Sequence, residues 1–370
     1  MMLSSIKKCL LSLLFGCNIV TAQASIMFNA IYDDVINNTG VGFDDPTIVG
    51  PNDLTLGQER QNTLQAVFNY LNTVIDETGT FNLEVNSSLL PDNPNSSNIV
   101  APQFPLVYNG LSIESSPDDI LAQGGSYYAI QNGFNSGLTF EDITTGSTLY
   151  PGVPDADIQF NFSQNWNSGL GQPDSDQYDL FTVALHEITH DLGFDSFISE
   201  TGASIFAQSN GINAYTTYDS YLVLGDGTPL VDSAGNFLGT QSDLIDNDIY
   251  FSGKYANAAN GGMPVQVYDP STWAQGSSLV HLNDPSDLMY YLINPGMEKR
   301  TFSNVDLGIL QDLGYTLYST NNGGDGGQTP PNNGNGGEPS PPSVPEPSSL
   351  ALFLLGSIFI YSRRNLYFLT

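Results

Sequence analysis

The chain has 370 residues, 40% of them hydrophobic, and a formal charge of −31 with the histidines counted neutral. That is enough apolar material for a sizeable core and one main domain. Between residues 25 and 345 only Arg60, Lys254, Lys299 and Arg300 are basic, against all but one of the 39 acidic residues; such a surface repels nucleic acid and anionic membranes.

Residues 1–24 have the layout of a secretory signal peptide. Lys7 and Lys8 form the charged start, Leu10 to Val20 is mostly apolar, and Ala22-Gln23-Ala24 is a cleavage site before Ser25. Leu14-Phe15-Gly16-Cys17 could instead be a lipobox, but Phe15 is a bulky fit. Both cysteines, Cys9 and Cys17, fall inside this segment, so a mature secreted chain has no disulfide and no thiolate nucleophile.

Residues 25 to 175 read as mixed α/β. Helical spacing runs from Gln58 to Ile75 through Leu64, Val67, Phe68 and Leu71. Phe81 to Val85 alternates as a half-buried strand, and Asn86 to Pro105 is rich in Asn, Ser and Pro and reads as loop. Ser116-Pro117 can open a short helix. Ala156 to Phe162 alternates again; a strand there suits a cleft in which an extended peptide adds beside a sheet edge, though an ordinary core strand has the same pattern.

Leu180 to Leu185 is an apolar run that leads into His186-Glu187-Ile188-Thr189-His190, with Asp174, Ser175 and Asp176 as capping candidates and Gly193 as the stop. On a helix, positions i and i+4 share a face, so His186 and His190 aim two imidazoles at one point. That is half of a tetrahedral zinc site. Glu187 lies about 100° further round the helix, placed to take a proton from a metal-bound water.

From 195 to 275 the chain is rich in Gly, Asn and Asp, with Tyr215 to Leu224 the best candidate for order. Asp226-Gly227 and Asp232 to Gly235 read as hairpin turns that could also bind Ca²⁺, although no complete calcium loop is present. His281 is the third and last histidine. A catalytic zinc takes three protein ligands, and only the fold can bring His281 to the other two. Asp195 and Glu200 are acidic alternatives for that third position. Met289 follows His281 by eight residues.

Together these residues resemble a metzincin zinc protease, most nearly the leishmanolysin type, which keeps H-E-x-x-H-x-x-G and takes its third histidine from shortly before a Met-turn. Here Ser196 stands where other metzincins carry the third histidine. The resemblance spans roughly residues 150–315. It implies an α+β fold with two lobes: a mixed sheet with the active-site helix in the N-terminal lobe (25–193, its start doubling as a candidate propeptide) and an irregular C-terminal lobe (194–318) that ends in a helix. It further implies one catalytic Zn²⁺ held by His186, His190 and His281, Glu187 as general base, Met289 as the Met-turn, and Tyr291 as a candidate transition-state stabiliser. Leishmanolysin-like chains generally lack that tyrosine, and a core role is the simpler reading of it. Ser303 to Gly314, with Ser303 as cap and Leu307, Leu310 and Leu313 as its stripe, supplies the closing helix.

Residues 319–343 form a Gly/Asn/Pro-rich linker. The tail, 344–370, carries Val344-Pro345-Glu346-Pro347, an apolar run from Leu350 to Tyr361, and Arg363-Arg364. It resembles a PEP-CTERM sorting signal, which implies an exosortase-type partner and a transient membrane anchor on an exported protein. The apolar run alone is shorter than the ~20 residues that span a bilayer. The expected function is a secreted zinc endopeptidase acting on proteins or peptides. The alternative is a non-catalytic matrix or adhesion protein on a metalloprotease fold.

Overall fold

The computed structural model describes residues 26–77, 79–88, 122–126, 156–204, 215–232 and 235–318. The signal peptide, the helix start at Ser116, the linker and the sorting tail lie outside the described residues.

The first strand, β1 (Ile26–Tyr32), runs into a short helix, α1 (Asp33–Asn37), and then the long α2 (Leu56–Val74). Helix α2 begins two residues before the expected Gln58. Thr55 accepts the Gln58 N–H while the Gln58 side chain accepts the Thr55 N–H, a reciprocal cap that stabilises the first turn. Its buried stripe, Leu64, Val67, Phe68 and Leu71, is the one the periodicity indicates.

The chain returns as β2 (Gly79–Ser88), parallel to β1. This strand is longer than expected. Asn86, Ser87 and Ser88 pair with Gln159, Phe160 and Asn161 of β4 (Ala156–Asn161), so residues that read as loop by composition are held by a neighbouring strand. The edge strand β3 (Ala122–Ser126) pairs antiparallel with β4, which completes a four-stranded sheet of order β1-β2-β4-β3. The placing of β4 corrects one expectation. It is flanked on both sides, so no peptide can add beside it; among the described residues the outer strand on that side of the sheet is β3. The burial of Ala156, Ile158 and Phe160 agrees with an interior strand.

Two-residue strands β5 (Trp166–Asn167) and β6 (Tyr178–Asp179) pair in parallel just before α3 (Leu180–Asp191). Helix α3 meets α2, β3 and β4. Every residue of α3 is buried, which explains why its sequence is apolar almost all the way round.

After α3 the chain is largely irregular. It forms β7 (Leu222–Leu224), β8 (Ile249–Phe251) and β9 (Val265–Gln266), an antiparallel three-stranded sheet, with α4 (Lys254–Ala259) between the last two strands. The turn at Asp226-Gly227 is present: Gly227 has φ 86°, and Asp226 accepts the Thr228 N–H. Asp232 accepts the backbone N–H and the side-chain amide of Asn236. Both carboxylates are therefore engaged by their own turns.

The final helix, α5 (Asn304–Asp312), has the reciprocal cap between Ser303 and Asp306 and ends at Gly314, φ 112°. It packs closely on α4. One apolar core runs from Ile26 to Tyr315 and includes residues from all three sheets and from α2, α3 and α5.

Candidate metal centre

Helix α3 starts later than the capping candidates Asp174, Ser175 and Asp176 suggest. The cap is Asp179, whose carboxylate accepts the Thr182 N–H at 3.1 Å and the Thr182 hydroxyl at 2.7 Å. Pairing of Tyr178 and Asp179 with Trp166 and Asn167 keeps the chain extended to that point. Arg300 grips the other side of Asp179, and the Lys299 N–H donates to the Thr182 hydroxyl. The helix start is thus set by residues far away in the chain. Its end is local: Leu192 is the C-cap and Gly193 follows at φ 99°.

His186 and His190 sit one turn apart, as their spacing requires, with 3.3 Å between their Nε2 atoms. His281 comes to the same point, its Nε2 3.1 Å from that of His186. Among the described residues this is the one group of three or more His, Cys, Asp or Glu side chains whose ligand atoms converge. Asp195 and Glu200 are not part of it. Asp195 accepts the Ser196 N–H, and Glu200 is exposed. Ser196 donates its hydroxyl to Asp219.

The hydrogen positions follow from the acceptors. His186 Nδ1 faces the Leu288 carbonyl at 3.0 Å, His190 Nδ1 the Phe194 carbonyl at 2.7 Å, and His281 Nδ1 the Ser277 carbonyl at 3.0 Å. A carbonyl only accepts, so each Nδ1 must carry the proton. In the neutral ring Nε2 then presents a lone pair. The short Nε2 contacts are therefore lone pairs facing one another, not hydrogen bonds, and they are repulsive unless a cation lies between them.

Burial pushes all three rings below their ordinary pKa: His190 to about 3, His281 to about 4, and His186 well down. Neighbouring imidazoles add to this at His186 and His190. Near neutral pH the rings are uncharged, which is the metal-binding form. The separations fit as well. Ligand atoms on a tetrahedron with zinc–nitrogen bonds of ~2.0–2.1 Å lie about 3.3 Å apart.

Glu187, next to His186, is buried. Met289 is fully buried, and its carbonyl accepts the Leu282 N–H at 2.7 Å, which ties it to the residue after His281. Tyr291 is half-buried and stacks on Tyr268, with ring centroids 3.9 Å apart, and it also touches Tyr290.

Three residues of this neighbourhood have roles that reading the chain in order misses: Asp179, Arg300 and Asp306. A signal for Arg300 exists. In a chain with so few basic residues, a lone arginine is a candidate for an internal partner. Arg60 behaves in the same way, buried against the Gly42 carbonyl and the Phe162 ring.

A family model, the PEP-CTERM protein-sorting motif, matches residues 343–365. The chain therefore carries a sorting motif of the kind exosortase-type enzymes recognise, which marks it for export and for sorting through its C-terminal segment. No curated protein and no solved structure matches the chain. Among the described residues no helix is long and apolar enough to cross a membrane.

Proposed function

We propose that this chain is a secreted zinc-dependent endopeptidase with a two-lobed, metzincin-like fold. The observation that carries the reading is the convergence of three neutral Nε2 lone pairs, from His186, His190 and His281, beside Glu187. Three protein ligands leave one tetrahedral position open, the arrangement of catalytic rather than structural zinc. The chemistry zinc supplies when bound is polarisation of the scissile carbonyl and a lowered pKa for water. Glu187 takes the proton from the attacking water and returns it to the leaving amine. The carbonyls of Leu288, Phe194 and Ser277 hold the three rings in the correct tautomer and orientation. An extended protein or peptide substrate lies beside β3, the edge strand that meets the motif helix. Met289 acts as the buried Met-turn residue, and the lobe after α3 places His281.

The acidic surface and the sorting motif favour a second reading, a matrix or adhesion protein that keeps the metal but not the reaction. Metal analysis of the purified exported chain, together with casein hydrolysis before and after chelation, separates the two. The peptidase reading expects one zinc per chain and hydrolysis that is lost to the chelator and restored by zinc. Bound zinc without hydrolysis favours the second reading, and a chain that takes up no zinc sinks both.

A further inference from the structure

Asp306 has a local role as partner of Ser303 in the cap of α5, but its carboxylate does more. It is fully buried and accepts the Leu288 N–H at 2.9 Å and the Met289 N–H at 3.3 Å, besides the Ser303 N–H at 2.8 Å. The Met289 N–H and the Leu288 carbonyl are two ends of one planar trans peptide unit and point in opposite directions. Holding that N–H therefore aims the carbonyl away from Asp306. On that side it meets His186 Nδ1 at 3.0 Å. The bond to the Leu288 N–H fixes the preceding peptide plane as well, so Leu288 cannot turn about either of its flanking units.

We propose that Asp306 is a positioning residue for the tri-histidine centre. It couples the docking of the final helix to the orientation of His186 through a single peptide plane. The proposal rests on the metal-binding reading above.

Asp312, on the same helix, provides the control. It accepts the Tyr255 N–H at 3.0 Å and the Ala256 N–H at 2.8 Å, so it also ties α5 to distant backbone, but its bonds lead to α4 and not to a histidine. An asparagine at 306 or at 312 would put an amide NH₂ where backbone donors point, and at least one bond is lost.

The experiment compares Zn²⁺ affinity, by chelator competition, for the full chain and for Asp306→Asn and Asp312→Asn, and records the visible spectrum of each Co²⁺-loaded protein. Loss of an outer-shell partner costs about 10–100-fold in metal affinity, and that loss, with an altered cobalt spectrum, is expected for Asp306→Asn. Asp312→Asn should lower the thermal midpoint and leave both metal readouts as in the parent. Equal affinity in Asp306→Asn and the parent overturns the proposal, as does an equal loss in both variants. A parent chain that binds neither ion overturns the metal reading itself. Should Asp306→Asn fail to fold, amide hydrogen exchange of the unmodified protein decides: zinc should slow exchange at Leu288 and Met289, and unchanged rates there reject the coupling.

Discussion

Arg300 holds Asp179 through two parallel hydrogen bonds, Nη2 to Oδ1 at 2.6 Å and Nε to Oδ2 at 2.9 Å. Asp179 is fully buried and caps the helix that carries His186, Glu187 and His190. Arg300 also donates to the carbonyls of Leu170 and Gly171. Removing it leaves a buried carboxylate with only its cap donors and the Asn167 amide. Arg300→Ala should destabilise the protein by roughly 3 kcal/mol, the scale for breaking a buried pair from one side. Denaturant titration measures this, and Arg300→Lys should recover little, because a lysine cannot reproduce the two-pronged contact. Unchanged stability in Arg300→Ala would show the clamp to be idle.

His281→Ala removes one of three converging ligands. It should weaken zinc binding by more than the ~10–100-fold that loss of an outer-shell partner costs, while Asp195→Ala and Glu200→Ala leave zinc bound. Competition with a chelator measures all three. Zinc loss on changing Asp195 or Glu200, with His281→Ala unaffected, would return the third position to an acidic ligand.

Glu187→Gln should keep zinc and the fold while peptide hydrolysis falls by about 10²–10⁴-fold, the usual contribution of a positioned general base. Turnover near the parent rate, with zinc bound, would remove Glu187 from the mechanism.

The loop after α3 holds two close carboxylates. Burial pushes Asp195 up to about 7, with Asp219 beside it adding to the effect, and burial pushes Asp219 up to about 6. A raised carboxylate means that the folded chain keeps a proton the unfolded chain releases. The stability it contributes is present at low pH and is lost as pH rises through about 7. Asp195→Asn removes that loss. The thermal midpoint of the variant relative to the parent should therefore be higher at pH 8 than at pH 5.5. Between pH 5.5 and about 7 the loss amounts to about 1.36 kcal/mol per pH unit, so the gain is about 2 kcal/mol. A difference that does not change with pH would show that Asp195 titrates normally.

Gly308 faces α4 with no room for a side chain: a Cβ there would lie 2.8 Å from the Ala256 backbone. Gly308→Ala should cost about 1–3 kcal/mol despite the better helix propensity of alanine, because backbone rather than a mobile side chain has to move. Gly171→Ala, with nothing within 4 Å of the added carbon, is the comparison and should be close to neutral. Thermal unfolding of the pair tests this, and equal midpoints would contradict the close packing.

The features legible in the chain alone are those decided within a few residues. The i, i+4 spacing of His186 and His190, the stop at Gly193, the cap at Ser303 with Asp306, and the end at Gly314 all depend on one turn of backbone, and they lie where the sequence places them. Thr55 with Gln58 has the same local logic, but the reading by apolar spacing missed that cap and starts the helix at Gln58. The sorting motif is read from composition and order without any fold. Only the tertiary structure decided the rest. It made Asp179, not Asp174 to Asp176, the cap of α3, through strand pairing and an arginine 121 residues away. It carried Asn86 to Ser88 into a strand and enclosed β4. It brought His281 to within 3.1 Å of His186 and gave Asp306 its second set of partners. Each of these contacts joins segments whose meeting depends on burying the whole core at once, and no local pattern of residue types encodes which distant groups that burial will bring together.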